Sequence, residues 1–198
     1  MPSCTAMTSW ALSAIVFLTA GIGYAEPSQA GPERALEADH QITRLPPSAF
    51  PELPKKIIQE LERRGCTIPQ VPSDKKPHNV ISGEFTGKGR TDWAVLCSLN
   101  RVSTILIFRN ASAREPLEIA QEADADSLQR GGGTAIEYSR AIEPVGREYV
   151  LKHYRAYGGP EPEPAAIDHQ GINDSFVGKA SVVRYFHAGT WLELTGAD

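Results

Sequence analysis

Two of the five histidines stand where they could take part in hydrolysis. His169 directly follows Asp168, and His153 stands beside Tyr154 earlier in the chain. A histidine beside a carboxylate can act as a general base toward a hydroxyl group or a water molecule. However, the chain has no Gly-x-Ser-x-Gly nucleophile motif and no His-Glu-x-x-His metal motif. Two alternatives stay open: a small secreted hydrolase that uses His153, Asp168 and His169, or a non-catalytic domain, which the missing nucleophile motif favours.

A second group of residues, Tyr154, Arg155 and Tyr157, combines aromatic rings with a cation. It is followed by residues 158–164, where alternating prolines predict an extended, exposed segment. Tyrosine and arginine side chains can stack on a sugar ring or anchor a protein partner. The alternative is that the two tyrosines pack on a sheet, as half-buried tyrosines often do. We predict a ligand-binding site at Tyr154, Arg155 and Tyr157, with a protein or an envelope glycan as the partner.

A glycine-rich loop with regularly spaced polar side chains precedes the most apolar part of the chain. Its pattern is Glu84-x-Thr86-x-Lys88-Gly89-x-x-Asp92. Over about residues 80–98, this segment resembles the FG-GAP or VCBS type of repeat, whose calcium-binding loop reads roughly Asp-x-Asn-x-Asp-Gly-x-x-Asp. The resemblance implies a strand after the loop and, in the complete family, a β-propeller. Because a propeller needs about four blades of four strands or more, 198 residues are too few to form one.

The loop departs from the family at its fifth position, where Lys88 stands in place of an acid. We expect the Lys88 ammonium to pair with Glu84 and Asp92 and so to occupy the place of a calcium ion, which oxygen ligands would hold. A fainter copy of the pattern, without such a lysine, could bind calcium weakly; it is Asp168-x-Gln170-Gly171-x-x-Asp174. The alternative for both segments is an ordinary Gly/Asp turn. We predict no metal at the Lys88 loop and no cofactor.

Residues 1–25 have the pattern of a secretory signal peptide. Trp10–Ala20 is an apolar run too short to span a bilayer, and small residues, Gly23 and Ala25, precede a cleavage point at Glu26. The alternative is a buried or membrane-anchoring helix. No later apolar run is long enough to span a membrane. The sequence therefore predicts a secreted or periplasmic protein without a transmembrane segment.

The cysteines fit an exported protein. Cleavage of the leader removes Cys4 and leaves Cys66 and Cys97. Since secreted proteins fold in oxidising compartments, two remaining cysteines predict one disulfide bond between them. The alternative is a pair of buried free thiols.

The hydrophobic pattern predicts one helix and several hairpins. Apolar residues recur at helical spacing over Lys55–Arg64, and Gly65 is a natural end for that helix. Beyond it the apolar runs predict three hairpins, namely Asp92–Ser98 with Ser103–Arg109, Thr134–Ile142 with Arg147–Tyr154, and Ser181–Phe186 with Thr190–Leu194. The predicted fold class is α+β and mostly antiparallel β, with one N-terminal helix packed on a β-sheet built from hairpins.

Composition bounds the number of domains and the kind of partner. Hydrophobic residues make up 41% of the chain and charged residues 22%, which is typical of a globular domain. We predict a flexible N-terminal arm over residues 26–47 and a single β-rich domain over residues 48–198. Because 24 acidic residues outnumber 20 basic ones, nucleic acid is not an expected partner, since its phosphates attract basic surfaces.

Overall fold

The computed structural model describes residues 37–130, 135–157 and 167–196. The predicted signal peptide and the proline-containing segment 158–164 lie outside the described residues. The described part is rich in strands, which form four antiparallel sheets and are accompanied by few helices, in keeping with the predicted α+β class. No helix within these ranges has the length and apolar character needed to cross a membrane.

Twelve strands and two helices of ten or more residues run through the described part of the chain. In chain order they are β1 (Arg44–Leu45), α1 (Lys55–Arg64), β2 (Ile68–Pro69), β3 (Val80–Gly83), β4 (Asp92–Leu99), β5 (Val102–Phe108), β6 (Leu117–Ala123), β7 (Leu128–Arg130), β8 (Ile136–Tyr138), β9 (Arg140–Val145), α2 (Arg147–Tyr157), β10 (Gly171–Phe176), β11 (Ala180–His187) and β12 (Thr190–Thr195). Short pairings of β1 with β2 and of β7 with β8 accompany two larger sheets.

Helix α1 spans the residues for which the apolar spacing predicts a helix. It begins after Pro54 and ends at Gly65, which takes the left-handed conformation (φ 75°) that glycine adopts without strain. Ile57 and Leu61, about one turn apart, are fully buried. They belong to an apolar cluster with residues of the β4–β5 hairpin, Val95, Cys97, Leu106 and Phe108. Burial of this stripe holds α1 on one face of the hairpin.

Helix α2 stands where a strand is predicted. The hairpin expected between Thr134–Ile142 and Arg147–Tyr154 is wrong, because the second of these segments is helical and β9 pairs with β10 instead. Val150, His153 and Tyr154 are buried at helical spacing. The sequence pattern does not reveal this short stripe of buried residues, because the aromatic and β-branched residues of the segment favour strands. The fold therefore has a helix beyond the one expected.

The two larger sheets are four-stranded meanders, which we call the first sheet (β3-β4-β5-β6) and the second sheet (β9-β10-β11-β12). The predicted hairpin of β4 and β5 is confirmed. Its turn residues, Asn100 and Arg101, have φ of 52° and 63°, as a two-residue type I′ turn requires. The predicted hairpin of β11 and β12 is confirmed as well. Each large sheet thus follows the chain from one strand to its neighbour.

Apolar side chains from both large sheets form the central layer of the fold. One buried cluster contains residues of the first sheet, Ala94, Leu96, Ile105 and Ile107, together with residues of the second sheet, Ile142 and Ile172. The sheets therefore face each other as in a β-sandwich. Helix α1 covers the outer face of the first sheet, and α2 covers the outer face of the second, where Val150 and Tyr154 join Val183, Tyr185 and Leu194.

Cys66 and Cys97 lie at disulfide distance, with their Cα atoms 5.5 Å apart. Cys66 follows the end of α1, and Cys97 lies in β4. The amide and carbonyl of the neighbouring Thr67 also exchange hydrogen bonds with Ser98 at 3.0 and 2.7 Å. The bond between the cysteines therefore joins α1 to the first sheet at a point where the backbones are already paired.

Buried ion pairs attach residues 37–45, in the segment predicted as an arm, to the sandwich. Arg44 of β1 donates to Asp39 at 3.0 Å and to Asp124 at 2.6 Å. The Asp124 carboxylate is fully buried and also accepts hydrogen bonds from the hydroxyls of Ser98 and Ser103. The Asp124 carboxylate therefore anchors residues 37–45 to the sandwich.

Candidate functional site

Four charged side chains cross the second sheet on the face that points toward the first sheet. Arg140, Asp174, Arg184 and Glu193 come from β9, β10, β11 and β12 in turn, alternate in sign, and are called here the charge ladder. Strand register produces this order. Arg184 lies opposite both Ile172 and Glu193 on its two neighbouring strands. Because alternate residues of a strand share a face, Asp174 falls on the same side as the buried Ile172.

Asp174 is the centre of the ladder. Arg140 donates from Nε to Oδ1 at 2.8 Å and from Nη2 to Oδ2 at 2.9 Å, while Arg184 donates from Nε to Oδ2 at 3.0 Å. The side chains of Asp174 and Arg140 are only 7% and 3% exposed. Arg184 Nη1 pairs with Glu193 on the solvent side. A carboxylate whose two oxygens accept hydrogen bonds from cations is a poor general base.

Arg140 remains charged although it is buried. Burial acts against the charged form, but the hydrogen bonds and the charge of Asp174 outweigh it and raise the pKa of Arg140 above its ordinary value. Arg140 Nη2 also donates to the carbonyl of Ala120 at 2.8 Å. Its Nη1 has no hydrogen-bond partner among the residues that the structure describes. Glu122 Oε1 lies 3.4 Å from Nη1, an ion pair that falls short of hydrogen-bond geometry.

The charge ladder borders a cleft of about 160 Å³, called here the ladder cleft. Its main lining residues are Glu122, Arg140, Asp174, Phe176, Val182 and Arg184. Glu122, from β6 of the first sheet, is 38% exposed and stands at the rim, whereas Arg140 lies beneath. No histidine or cysteine from the described ranges lines the cleft. The arrangement provides fixed charges and an apolar wall, which suits binding better than bond cleavage.

The three residues proposed for hydrolysis are not brought together. His153 Nδ1 lies 3.0 Å from the carbonyl oxygen of Thr195. His169 stacks on a tyrosine, and its two ring nitrogens lie 2.9 Å from the carbonyl oxygens of Gln170 and Phe186. Thr195 pairs with the residue four positions before Phe186 on β11, so the two histidines contact points about 13 Å apart along that strand. Asp168 is exposed, and its backbone amide donates to the hydroxyl of Tyr185 at 3.2 Å.

The predicted ligand-binding residues lie on α2. Tyr154 is 5% exposed and belongs to the apolar cluster between α2 and the second sheet. Arg155 is exposed, and Tyr157 is 59% exposed and stacks on His153 with ring centroids 5.5 Å apart. The three side chains therefore divide between the core and the surface. Only Arg155 and Tyr157 offer a surface on the outer side of the helix.

The expected pairing of Lys88 with Glu84 and Asp92 is wrong. Lys88 is exposed at the tip of the loop and forms no ion pair with any residue that the structure describes. The Asp92 carboxylate is buried and turns inward, where Oδ2 accepts hydrogen bonds from the amide and hydroxyl of Thr86 at 2.7 and 2.8 Å. Its Oδ1 accepts from the amide of Asn110 at 2.9 Å. Asp92 therefore closes the loop through backbone donors.

The two Gly/Asp segments contact each other. The amide of Gln170 donates to the carbonyl of Glu84 at 3.0 Å, and the amide of Glu84 donates to Gln170 Oε1 at 2.9 Å. A Cβ atom on Gly83 would come within 2.6 Å of that Oε1 and 2.8 Å of the Phe85 ring, so a larger residue would have to displace these side chains. Within the described ranges, no group of three histidine, cysteine, aspartate or glutamate residues is placed to hold a metal ion.

The sequence analysis does not predict the charge ladder, although the pairing of Arg184 with Glu193 could have been found in the sequence. In the predicted hairpin of β11 and β12, Arg184 and Glu193 are equally far from the turn, which predicts a cross-strand ion pair. Arg140 and Asp174 are separated by 34 positions and by α2. Their meeting depends on the pairing of β9 with β10, for which the sequence shows no turn.

Comparison of the chain with protein-family models, curated proteins and solved structures finds no match. The choice of site therefore rests on geometry. The ladder cleft combines an open surface with buried charges that ion pairs hold in place.

Proposed function

We propose that this chain is an exported, non-catalytic domain that binds a protein or an envelope glycan at the ladder cleft. The observation that carries the proposal is the ladder cleft itself, an open cleft of about 160 Å³ whose charged lining residues are held in place by ion pairs. Fixed charges beside an apolar wall can bind and orient a partner without reacting with it.

The alternative, a small hydrolase, has less support. Hydrolysis needs a base or nucleophile that is free to react. Asp174 accepts hydrogen bonds from two guanidinium groups, and Asp124 accepts them from Arg44 and two serines. His153 and His169 contact backbone carbonyls at separate places. Because these side chains already have hydrogen-bond partners within the fold, binding without catalysis is the function that agrees better with the structure.

Export is the third element of the proposal. Cys66 and Cys97 at disulfide distance, together with the leader-like residues 1–25, agree with an oxidising compartment. A disulfide-bonded fold without a helix able to cross a membrane within the described residues is compatible with an extracellular location. N-terminal sequencing of the protein from its native host is expected to find Glu26 first; a retained Met1 would contradict export by this leader.

The relation to FG-GAP or VCBS repeats is also kept as a proposal. Each large sheet is a four-stranded meander, and in each a Gly/Asp segment leads into the second strand: residues 84–91 precede β4, and Asp168–Asp174 runs into β10, which begins at Gly171. That placement supports two divergent copies of one repeat. In neither copy would the last aspartate of the pattern, Asp92 or Asp174, be free to ligate calcium, because both carboxylates already accept several hydrogen bonds.

Mapping of amide chemical shifts tests the binding site. The ¹⁵N-labelled protein would be titrated with a set of small polar compounds: neutral sugars, sugar acids, amino acids and short acidic and basic peptides. We expect shifts to cluster at Arg140, Asp174 and Phe176, which line the cleft. Shifts that cluster at Arg155 and Tyr157 instead would move the site to α2.

The same samples test for catalysis. Each compound set would include esters and peptide bonds, and the products would be followed by proton NMR over a day. We expect no turnover. Cleavage that is lost on His169→Ala would replace the binding proposal by the hydrolase.

A further inference from the structure

Strand β12 is an edge of the second sheet, and half of its backbone groups point away from that sheet. The amide of Gly196 donates to the carbonyl of Ser181 at 2.8 Å, which fixes the pattern of hydrogen bonds between β11 and β12. Because hydrogen-bonded and non-hydrogen-bonded pairs alternate in an antiparallel ladder, the amides and carbonyls of Trp191, Glu193 and Thr195 point outward. Within the described ranges, the outward groups of Trp191 and Glu193 form no hydrogen bond.

Two other edges of the large sheets are blocked by specific contacts, as edges of native sheets usually are. On β9, Asn79 Oδ1 accepts from the amide of Ile142 at 2.9 Å, and Asn79 Nδ2 donates to the carbonyl of Arg140 at 3.2 Å. On β6, the ladder shifts register, and the carbonyl of Ala120 accepts from the Arg140 side chain. Along its length, which the structure describes in full, β12 has no register shift, proline, lysine or positive φ. It is therefore a regular edge that another strand can join.

Helix α2 runs beside this edge and presents a stripe of aromatic rings to it. Tyr149, His153 and Tyr157 stand one turn apart, and the centroid of the His153 ring lies 4.3 Å and 5.5 Å from those of the two tyrosines. His153 Nδ1 lies 3.0 Å from the outward carbonyl oxygen of Thr195, which brings the stripe to the edge. Tyr157 is 59% exposed. A chain added at the edge would therefore have α2 on one of its faces.

The other face of the edge carries an accessible carboxylate. Glu193 shares this face with Trp191 and Thr195, because alternate residues of a strand point the same way. It is 65% exposed and pairs with Arg184 on one side, so its oxygens can accept from a second cation. In the part of the chain that the structure describes, the ladder cleft is lined by other residues. The β12 edge is thus a separate surface, independent of the function proposed for that cleft.

We infer that the edge of β12 is a docking site for an extended peptide segment of a partner protein. The segment joins the second sheet as a further strand and exchanges backbone hydrogen bonds with Trp191 and Glu193. Its side chains alternate between the two faces. Apolar side chains contact the Tyr157 ring on the α2 side, and a lysine or arginine pairs with Glu193 on the other. The partner is a protein because a glycan has no regular row of N–H and C=O groups to match the edge.

Titration with a designed peptide tests the site. The ¹⁵N-labelled protein would be titrated with the capped peptide acetyl-Val-Thr-Val-Lys-Val-Thr-Val-amide. We expect the largest amide shifts at Trp191, Glu193 and Thr195. The same peptide with glutamate in place of lysine should bind about two- to fivefold more weakly, as an exposed ion pair allows. No shifts at millimolar peptide, or shifts confined to the ladder cleft, would overturn the site.

Two N-methylated peptides test whether the backbone carries the binding. One has methyl groups on the amides of its valines, and the other has them on the amides of its threonines and lysine. Because the amides of alternate residues point to opposite edges of a strand, one peptide should lose binding and the other should keep it. Equal effects of the two sets of methyl groups would overturn strand addition.

Substitutions in β12 test the edge from the side of the protein. Glu193→Pro removes an outward amide hydrogen but no hydrogen bond to β11, so the variant should unfold cooperatively and lose the peptide. Glu193→Gln keeps the backbone and should bind the lysine and glutamate peptides equally well. A folded Glu193→Pro variant that still binds the peptide would overturn the site.

Substitutions in α2 decide the matter independently of the fold of β12. Tyr157→Ala should weaken peptide binding several-fold, because it removes the exposed ring beside the edge. Lys152→Ala is the matched control, since Lys152 is also exposed on α2 but lies outside the aromatic stripe, and it should leave the affinity unchanged. Equal effects of the two substitutions would overturn the assignment of α2 to the site.

A second copy of the chain is the competing occupant of the edge. The antiparallel register that pairs all of the outward groups would set Glu193 opposite its own copy, and like charges in that position are destabilising. We therefore expect sedimentation to show a monomer. A dimer that Glu193→Pro dissociates would overturn the peptide site in favour of self-pairing.

Discussion

The first and second sheets are both four-stranded meanders with one helix on the outer face, yet they differ in what they bury between them. The first sheet contributes apolar side chains to the central layer from β4 and β5. The second sheet contributes Ile142 and Ile172 and, beside them, the charge ladder, since Ile142 lies opposite Asp174 and Ile172 lies opposite Arg184. Charges are costly to bury even when they are paired. This difference supports the proposal that the second sheet carries the binding surface.

The last aspartates of the two Gly/Asp segments, Asp92 and Asp174, show the same division. Asp92 in the first sheet accepts its hydrogen bonds from the amides of Thr86 and Asn110, and so closes its own loop. Asp174 in the second sheet accepts them from two arginine side chains. One carboxylate serves local backbone structure, while the other organises charged side chains from three strands at a cleft.

The largest effect is expected from Asp174→Ala. The substitution leaves two buried or nearly buried guanidinium groups without their shared partner, and removal of one partner from a buried pair costs about 3–5 kcal/mol. The free energy of unfolding from urea denaturation measures this loss. Glu193→Ala is the matched control, because Glu193 is 65% exposed and its loss is expected to cost less than about 1 kcal/mol.

A variant with an apolar ladder separates stability from function. The triple variant Arg140→Met/Asp174→Leu/Arg184→Met removes these three charges together. Replacement of buried ion pairs by apolar residues of similar size is often neutral or stabilising by about 1–4 kcal/mol. We expect this variant to fold and to lose binding at the cleft. If it is as unstable as Asp174→Ala, the ladder is needed by the fold, and the contrast between the sheets loses its functional meaning.

The next effect belongs to the first sheet. Replacing both Cys66 and Cys97 by alanine opens a loop closed across a sequence separation of 31, which costs about 3–4 kcal/mol by the chain-entropy relation. The melting temperature of the oxidised protein should therefore fall markedly on reduction and in the double variant alike. Two thiols that can be alkylated in the oxidised protein once it is unfolded would show that the bond is not formed.

The predictable parts of this fold are the parts with local signals. Helix α1 has an apolar stripe followed by a glycine, and the β4–β5 and β11–β12 hairpins have apolar runs around short polar turns. The cysteine pair follows from compartment and count. Helix α2 carries a short apolar stripe among residues that favour strands, so the period of 3.6 was the weaker of two conflicting signals.

The site was less predictable because it depends on long-range pairing. Arg140 reaches Asp174 only through the alignment of β9 with β10 across α2, and Glu122 reaches Arg140 only through the packing of one sheet on the other. Lys88 shows that short-range spacing can also mislead. Its position in the loop predicts an ion pair with Asp92, but the Asp92 carboxylate accepts hydrogen bonds from backbone amides instead. Motif spacing brings residues near each other, but it does not determine which hydrogen-bond donors a carboxylate accepts from.

A smaller effect is expected from Asp92→Ala. The change removes a buried carboxylate that accepts three hydrogen bonds and leaves two backbone amides unpaired, which costs about 2–3 kcal/mol. Hydrogen exchange should increase at Thr86 and Asn110 while the cleft amides keep their chemical shifts. Changed shifts at Asp174 would show that the two Gly/Asp segments are coupled through Gln170 and that the sheets are less independent than proposed.

The smallest effect concerns Glu60 on α1, which is held by two arginines as Asp174 is but stands at the surface. Hydrogen bonds from Arg63 and then Arg64 lower the pKa of Glu60 from its ordinary 4.5 to about 2. A carboxylate with a lowered folded-state pKa adds stability that is present above pH 4.5 and is lost as the pH falls toward 2. Because the Arg63 side chain is 69% exposed, solvent weakens the pairs, and the gain is expected to be only a few tenths of a kcal/mol.

Urea denaturation of the wild type and Glu60→Gln should therefore give equal stability near pH 2 and a small difference above pH 4.5. A difference comparable to that of Asp174→Ala would show that burial does not set the cost of breaking these carboxylate–arginine groups.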